Sequence, residues 1–482
     1  MTAPRLSNSS LRSVTATTLV PRYDRAATRI GIVHIGPGAF HRAHQAFYAD
    51  SLLHTDPRWA ICAISLRSPG LRDALAPQDG LYALCELSAT PRMRVIGAIR
   101  EVLVAAEDLE SAFARFVARD TRIVTLTVTE KGYCLNADSA LDESHPDIVQ
   151  DLKLPAQPHS TIGLLAEALR RRRASGERPF AVVSCDNLAD NGSVLRRALV
   201  AFAARLDDGL AQWIESEVAF PRTMVDSITP ATDDALRQRV AAATGVTDAW
   251  PVQREAFTQW VIEDIPAMRE ADWSSVGVTL AADVSVYDRA KLRLLNGAHS
   301  TLAYLGLLRG HETVAAAMQD APLARFVEQL MREDIAPSLG TSRGLDIPAY
   351  TDAVLTRFRN PGVRHQLSQI AWDGSKKLPV RLMGTTIDAL TAGRPIQRLA
   401  MPAAAWMRFV ARQAKAGVPI TDPDADRLTA IGMACNGDAQ FDVGLFAAME
   451  TVIPVSLSGT PVFRQALEAA YAQLGSGASA LP

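Results

Sequence analysis

The sequence has little of what marks secreted, membrane-bound or nucleic-acid-binding proteins. Its five cysteines among 482 residues form no Cys-x-x-Cys pair, which argues against a disulfide framework and favours a reduced, cytoplasmic setting. There is no apolar run of about 18 residues, and no apolar signal core precedes Ile30, so we expect neither a membrane span nor a secretion signal. A net charge of -2 offers no basic field for nucleic acid.

At 482 residues the chain is longer than one hydrophobic core usually supports. Its pattern of apolar residues changes once along its length. Up to about residue 285, short β-branched runs alternate with helical patterns, which predicts βαβ units and a parallel sheet. The predicted strands are Arg29–Ile35, Trp59–Ser65, Met93–Ile99, Arg122–Thr129, Phe180–Cys185, Arg222–Ile228 and Val276–Val286. Mostly helices follow, among them Ala290–Leu308, Glu312–Met318, Leu323–Met331 and Val462–Leu474. We therefore predict an α/β domain over residues 1–286 and a mainly helical domain over residues 287–482.

Two glycines follow the first predicted strand, in Ile30-Gly-Ile-Val-His-Ile-Gly36-Pro-Gly38-Ala-Phe-His-Arg42. A strand that enters a glycine turn and then a helix is typical of a dinucleotide site, because the backbone can approach a pyrophosphate and the helix N-terminus offers N–H groups. His41 stands where such a fingerprint has its third glycine, and Arg42 is a candidate phosphate donor. An ordinary β-turn-α connection is the alternative. His41 and His44 suggest a metal pair, but no cluster of cysteine or carboxylate ligands completes it, so we expect no metal.

The second predicted strand runs into Ile64-Ser-Leu-Arg67-Ser-Pro-Gly70, which contains no carboxylate. In NAD-binding domains an acidic residue at this point holds the adenosine ribose, whereas an arginine accommodates the 2′-phosphate of NADP. The residues by themselves therefore leave NAD and NADP both open.

One apolar segment carries three polar side chains, in Lys291-Leu-Arg-Leu-Leu-Asn296-Gly-Ala-His299. On an α-helix Asn296 lies about 140° and His299 about 80° around the axis from Lys291, so one wide face carries all three. A lysine among leucines is desolvated, which lowers the pKa of its amine and makes it a candidate general acid/base. The alternative is an amphipathic helix in which Lys291 reaches solvent and His299 is a satisfied core histidine.

Over nearly its whole length the chain resembles the polyol-specific long-chain dehydrogenase/reductase family. The resemblance lies in the segments Gly36 to His44, Thr127 to Tyr133, Ser184 to Asn187, Met224 to Asp226, Trp260 to Glu263, Lys291 to His299 and Asp373 to Pro379. It implies an α/β fold with a Rossmann-like N-terminal domain and a mainly α-helical C-terminal domain. It also implies zinc-independent oxidation of a secondary alcohol with a nicotinamide cofactor, expected to be NAD, with NADP not excluded.

The resemblance further implies roles for individual residues. Lys291 corresponds to the general acid/base, and Asn187 and Asn296 correspond to two amides that donate to the reacting oxygen. His299 corresponds to a contact that orients the substrate. The residues expected to bind the cofactor are Ile35, Gly36, Pro37, Gly38, Ala39, Phe40, His41, Arg42, Thr129, Glu130 and Asp226. Taken by themselves, Asn187 also suits a helix N-cap or a turn and Asp226 a helix cap.

The stretch from Arg364 to Arg381, and the lysine in Thr129-Glu-Lys131-Gly-Tyr133, resemble the fructuronate-reducing members of the family. Fructuronate carries a carboxylate, which favours a pocket with added cationic donors. The candidate substrate-binding residues are Lys131, Arg364, His365 and Lys377, with Arg381 beside them. The alternative for these cations is a solvated helix face.

The expected reaction is the NAD-dependent interconversion of D-mannonate and D-fructuronate. A mannitol or arabinitol 2-dehydrogenase, a tagaturonate reductase and a nucleotide-binding regulatory protein without turnover are the alternatives. The expected partners are a small sugar acid or polyol, without nucleic acid or membrane, and the expected assembly is a monomer or a small homo-oligomer. Relatives usually carry glutamate three residues before the lysine, where this chain has Asp288, so a gating role for that carboxylate stays open.

Overall fold

The computed structural model describes residues 3–88, 90–340 and 344–475, and it divides the chain into two compact units, Met1–Ser285 and Val286–Pro482. The strands, all in the first unit, are β1 Ile30–Ile35, β2 Ala60–Ser65, β3 Tyr82–Leu87, β4 Arg92–Ile96, β5 Ile99–Val104, β6 Ile123–Leu126, β7 Ala181–Ser184, β8 Thr223–Asp226, β9 Val252–Glu255, β10 Gln259–Glu263 and β11 Thr279–Ala281. The α-helices of that unit are α1 Ala39–Ala43, α2 Gln45–Leu52, α3 Gly70–Leu75, α4 Leu109–Val117, α5 Pro146–Lys153, α6 Thr161–Ala174, α7 Asn191–Ala204, α8 Asp208–Glu217 and α9 Asp234–Thr244.

The remaining α-helices follow from Ser285 onward. They are α10 Ser285–Ala290, α11 Gly297–Leu308, α12 Val314–Gln319, α13 Ala321–Gln329, α14 Ile347–Phe358, α15 Leu367–Ile370, α16 Gly374–Leu378, α17 Gly384–Thr391, α18 Gln397–Lys415, α19 Ala425–Ala434, α20 Ala439–Ala447, α21 Val455–Ser458 and α22 Pro461–Gly475. The second unit is therefore mainly helical, as the sequence predicts.

A five-stranded parallel sheet with the order β5-β2-β1-β6-β7 forms the centre of the first unit. The chain proceeds from β1 outward to β2 and β5 and then crosses to β6 and β7, so the direction of winding reverses between β1 and β6. Ile32 belongs to a buried cluster on one face of the sheet, and Val33 and Ile35 belong to a cluster on the other. Both faces are covered, as a parallel sheet requires, and the arrangement is the Rossmann-like one that the sequence predicts.

Two three-stranded sheets accompany the main sheet within the described residues, in the orders β11-β10-β8 and β4-β3-β9. The predicted strand Met93–Ile99 is wrong as one element, because the chain turns at Gly97, whose N–H donates to Asp50 Oδ1 at 2.8 Å. Its first part pairs with β3 as β4, while β5 joins the main sheet. The predicted strand Val276–Val286 is wrong over most of its length, since only β11 is extended before Asp283 accepts a hydrogen bond from the Ser285 N–H at 2.8 Å and α10 begins.

The core of the second unit forms around α18, which packs against α11, α19 and α22. Met401, Trp406 and Met407 on this helix are at most 2% exposed. Side chains at the starts of neighbouring helices hold the free backbone N–H groups there: Thr313 accepts from Ala316 at the start of α12, and Asp320 accepts from Leu323 at the start of α13. In the part of the chain that the structure describes, no helix has both the length and the hydropathy needed to cross a bilayer.

Within the described residues of the second unit, three segments have π-helical hydrogen bonding, in which each bond spans five residues instead of four. They are Lys291–Asn296, Leu330–Ile335 and Pro379–Met383, and the first packs against the other two. The predicted continuous α-helix Ala290–Leu308 is therefore interrupted. A Cβ added to Gly297, just after the first segment, would lie 3.2 Å from the Arg381 carbonyl oxygen, so the first and third segments approach each other closely here. Segments of this kind are rare and occur frequently at functional sites.

All five cysteines are free thiols and all are buried: Cys62, Cys85, Cys134, Cys185 and Cys435. Burial raises the pKa of each thiol above its ordinary value, because a thiolate is poorly solvated away from water. The cysteines therefore belong to the packed interior, and as free thiols they form no disulfide framework.

Candidate active site

The glycine turn after β1 has the backbone form that the sequence predicts. Gly36 has φ +83°, and a Cβ added to it would lie 2.4 Å from the Thr127 carbonyl oxygen. A side chain there would therefore strain the backbone and collide with the residue that follows β6. An added Cβ on Gly38 would meet only the Gly36 carbonyl oxygen, at 3.9 Å. One glycine thus makes the turn, and the other leaves an open side from which a ligand can approach the backbone.

A cleft of about 640 Å³ opens at this turn. It is lined by Gly36, Pro37, Gly38, Ala39, Arg42, Ser65, Leu66, Ser68, Leu71, Thr127, Val128, Thr129, Ala231, Thr232 and Trp250. The cleft lies at the carboxyl ends of β1 and β6, where the winding reverses, which is the place at which open α/β sheets bind ligands. Its walls include five of the residues predicted to bind the cofactor at the turn, Gly36, Pro37, Gly38, Ala39 and Arg42, and the predicted cofactor contact Thr129.

The helix after the turn is short and is followed at once by a second helix. α1 ends at Ala43, because His44 has φ -120° and ψ -87°, and α2 starts at Gln45. Arg42 is 1% exposed; its Nη1 donates to the Trp250 carbonyl oxygen at 2.5 Å, and its guanidinium lies 5.4 Å from the Trp250 ring centroid. This side chain anchors α1 to the segment before β9, and its predicted contact with a phosphate stays a prediction.

The loop after β6 is held by a carboxylate that the sequence did not single out. Asp186 accepts hydrogen bonds from the N–H groups of Val128 and Thr129, at 3.0 and 2.9 Å, and from the Tyr133 hydroxyl at 2.7 Å. Thr129 has φ +65°, a conformation that costs energy in a residue other than glycine. Burial raises the pKa of Asp186. The only signal for this contact was the position of Asp186 at the end of a predicted strand, next to Asn187.

No carboxylate directly follows β2, where the adenosine ribose of the cofactor is expected to bind. Arg67 extends from the loop there; its side chain is 72% exposed, and Nη2 lies 2.8 Å from Asp147 Oδ2. Ser65 Oγ donates to the Ser68 carbonyl oxygen at 2.7 Å. Glu130 and Lys131 are exposed in the short 3-10 turn Glu130–Tyr133.

Two polar residues predicted to act in the site lie at the ends of strands. Asn187 is exposed in the bend after β7, and Asp226 is the last residue of β8 and only 7% exposed. Neither is a helix N-cap: Asp190 is the N-cap of α7, and Asp233 is the N-cap of α9. The N-cap interpretation is therefore wrong for Asn187, and the cap interpretation is wrong for Asp226.

In the second unit, the π-helical segment begins at Lys291 and ends at Asn296, and both residues are half-buried. His299 follows on α11 and is 7% exposed, with its ring centroid 4.6 Å from that of Phe358 and 5.0 Å from that of His365. Burial, followed by the charges of its basic neighbours, lowers the pKa of His299 well below its ordinary range. The imidazole is therefore neutral at neutral pH.

Basic side chains surround this histidine. The pKa of His365 is lowered to about 4 by burial and by Arg357. Arg381 donates from Nη1 to Ser300 Oγ at 3.1 Å and to the Asn296 carbonyl oxygen at 3.5 Å. Arg357 and Ser300 were missed by the sequence reasoning, because no motif spacing connects them with the lysine segment.

The predicted substrate-binding cations have different environments. Lys377 is half-buried, donates to the Ile370 carbonyl oxygen at 3.3 Å, and has its pKa lowered by burial and by Arg381. Arg364 has a 77% exposed side chain that lies 3.7 Å from Glu312. Within the second unit, His365 and Arg381 therefore lie in the surroundings of His299, and Lys377 lies close enough to Arg381 to be affected by its charge. Arg364 is placed as a surface cation. Among the described residues, no three histidine, cysteine, aspartate or glutamate side chains are positioned to hold a metal ion.

Residues 30–275 match the mannitol dehydrogenase Rossmann domain family, and residues 283–474 match the mannitol dehydrogenase C-terminal domain family. The chain is 40% identical over 464 residues to D-mannonate oxidoreductase of Escherichia coli (strain K12), covering 94% of this chain and 95% of that protein. It is 41% identical over 434 residues to mannitol 2-dehydrogenase of Neosartorya fischeri, covering 87% of this chain and 86% of that protein. The solved ternary complex of Pseudomonas fluorescens mannitol 2-dehydrogenase with NAD and D-mannitol is 37% identical, with a TM-score of 0.79 over 98% of this chain and 96% of that chain.

Proposed function

Because the chain belongs to the mannitol dehydrogenase family, we propose that it is an NAD-dependent oxidoreductase that interconverts D-mannonate and D-fructuronate. The observation that carries the choice of substrate is the group of basic side chains around His299. Besides burial, the charges of Arg357 and Arg381 lower the pKa of His299, and the charge of Arg381 lowers the pKa of Lys377. A carboxylate is the ligand that such a group of donors favours. The uronate end of the substrate is the part that distinguishes it from a neutral ketose.

The cleft of the first unit suits the pyrophosphate of a dinucleotide. Its turn combines a glycine whose φ is +83° with a second glycine whose missing side chain leaves the backbone open. When bound, the nicotinamide supplies the acceptor or donor of the hydride. No carboxylate directly follows β2, and Arg67 extends from the loop there. The preference for NAD over NADP is therefore a proposal that assays with both cofactors test.

Proton transfer is assigned to Lys291. In the oxidation direction its amine takes the proton of the substrate hydroxyl, and in the reduction direction its ammonium returns that proton. The Asn296 side-chain amide donates to the reacting oxygen, which gains negative charge as its proton leaves. Neutral His299 contacts a substrate hydroxyl. The resemblance to the family supports a second donor role for Asn187.

A substrate panel with both cofactors tests the proposal. D-fructuronate, D-tagaturonate and D-fructose are each offered to the purified protein with NADH or NADPH, and oxidation of the cofactor is followed by its absorbance. We expect kcat/KM for D-fructuronate with NADH to exceed that for D-fructose by about 10-fold to 150-fold, the worth of one charge-assisted contact. Preference for D-tagaturonate would assign the epimeric reaction.

A mannitol 2-dehydrogenase is the second candidate, because relatives with that name are as similar to this chain as the D-mannonate oxidoreductase is. Comparable kcat/KM values for D-fructose and D-fructuronate would favour it. A protein that binds NAD in calorimetry and turns over no member of the panel would instead be a nucleotide-binding protein without catalysis.

A further inference from the structure

The third position of the glycine fingerprint is occupied by His41, and the structure shows what this residue contacts. Its imidazole lies face to face with that of His34, with ring centroids 3.3 Å apart and an interplanar angle of 14°. His34 belongs to β1 and His41 to α1, and both side chains are 0% exposed. In the usual fingerprint a third glycine lets the helix backbone pack directly on the strand. Here two stacked rings occupy that contact.

The hydrogen bonds of His34 connect the stack to the glycine turn. Thr127 Oγ1 donates to the Gly36 carbonyl oxygen at 2.8 Å, so it accepts from His34 Nε2, which lies 3.0 Å away. The same nitrogen lies 3.3 Å from the Gly36 carbonyl oxygen, and Nδ1 lies 2.7 Å from Thr125 Oγ1, which then acts as the donor. One neutral tautomer, with its proton on Nε2, satisfies every one of these contacts.

Both imidazole rings are in the neutral form, which close stacking requires. Burial lowers the pKa of His34 to about 3 and lowers the pKa of His41 well below its ordinary range. At neutral pH the rings are therefore uncharged and do not repel each other at this short separation. The ring of His41 thus packs on the side chain that holds the Gly36 carbonyl.

We propose that the His34–His41 stack is a positioning pair that replaces the third glycine, fixing the spacing of β1 and α1 and so the Gly36–Gly38 turn to which the pyrophosphate of the dinucleotide binds. This inference rests on the proposed function in one respect, namely that the cleft holds a nicotinamide dinucleotide. The pair acts through the turn and not on the reacting atoms. Its loss is therefore expected to weaken binding of the dinucleotide and to leave the sugar half of the reaction largely intact.

Calorimetric titration of the full-length protein with NAD and with NADP tests the pair. His41→Leu keeps the bulk of the side chain and removes its flat ring, His41→Phe restores a flat ring without nitrogen atoms, and His34→Val removes the hydrogen bonds to Thr127. We expect the dissociation constant for the preferred dinucleotide to rise by about tenfold for His41→Leu and for His34→Val, and by less than about threefold for His41→Phe. The double variant is expected to weaken binding by less than the product of the two single effects, because the residues act together.

Three further measurements separate positioning from general damage. Thermal melting identifies variants that fail to fold, and His54→Leu, a change at an exposed histidine of the same unit, serves as the control. At saturating dinucleotide, the KM for the sugar is expected to move far less than the dinucleotide affinity. Wild-type affinity for the dinucleotide in His41→Leu would overturn the proposed role of the stack. Equal losses of that affinity in His41→Leu and His41→Phe would overturn it as well. If the wild-type protein binds neither dinucleotide, the proposed function fails instead.

Discussion

The two units form their candidate sites by different means. In the first unit the cleft opens at a glycine turn and a loop where parallel strands end, and the side chains of buried His34 and half-buried Asp186 hold that backbone in place. In the second unit the candidate chemistry is carried by side chains on helices, and a π-helical segment sets the direction of Lys291 and Asn296. Residues that act through backbone geometry should change cofactor affinity when replaced, whereas residues that act as chemical groups should change turnover.

The largest effect is expected at Lys291. Lys291→Ala removes the proposed acid/base, and we expect kcat to fall by about two to four orders of magnitude in both directions, with the dissociation constant for NAD nearly unchanged. Lys376→Ala is the matched control, because that side chain is 56% exposed and pairs with Asp424. Steady-state kinetics and calorimetry measure the two quantities. A fall in kcat of less than about threefold would remove Lys291 from the role.

The next largest effect is expected at the two amides. Asn296→Ala and Asn187→Ala should each lower kcat by about 10²-fold to 10³-fold, the usual result of losing one donor to a developing oxyanion. Asn136→Ala, in an exposed turn of the first unit, is the control and should behave as the wild type. An effect seen only in the KM for the sugar would contradict oxyanion stabilisation and indicate a binding role.

The pair Lys377 and Arg364 sharpens the comparison within the second unit. Lys377→Gln should lower the preference for D-fructuronate over D-fructose by about tenfold or more, because a charge-assisted contact with the carboxylate is lost. Arg364→Gln should leave that preference unchanged, since its guanidinium is 77% exposed and faces Glu312. The ratio of the two kcat/KM values is the measurement. Equal losses in both variants would contradict the assignment of the substrate carboxylate to Lys377.

The smallest effect is expected at Asp186. Asp186→Asn keeps the shape of the side chain but turns one acceptor into a donor that faces N–H and O–H groups, so we expect stability to fall by about 1 to 3 kcal/mol. The dissociation constant for NAD should rise while kcat at saturating NAD stays close to the wild-type value. Tyr133→Phe removes one of the three hydrogen bonds and should show a weaker form of the same change. A fall in kcat without a change in affinity would contradict the assignment of Asp186 to the cofactor side.

The features that the sequence predicts correctly are those encoded by neighbouring residues. The strand β1, the glycine turn and the mainly helical C-terminal region all follow from short patterns of apolar residues and glycine. The division at Gly97 escaped prediction because apolar residues stand on both sides of it, and only a distant contact with Asp50 fixes the turn. The contact between Asp186 and Val128 joins residues 58 positions apart, so no local pattern can reveal it.

The π-helical geometry of Lys291–Asn296 could not be predicted for a related reason. A π-helical segment has no sequence signature of its own, because its extra residue per turn is accommodated only where neighbouring segments pack against it. The sequence pattern groups Lys291, Asn296 and His299, but the angles expected for a regular α-helix do not apply, because both are measured from Lys291 across the π-helical segment. The stack of His34 on His41 could likewise not be foreseen, since the sequence shows only that a glycine is missing.

The five buried cysteines give the folded chain an internal reporter of its own opening. A thiol reacts as the thiolate, and burial both excludes the reagent and raises the pKa of every one of these groups. Modification in the native protein must therefore wait for local or global opening, so its rate measures the population of open molecules. Because Cys62, Cys85, Cys134 and Cys185 lie in the first unit and Cys435 in the second, the order of labelling distinguishes which unit opens first, without any engineered probe.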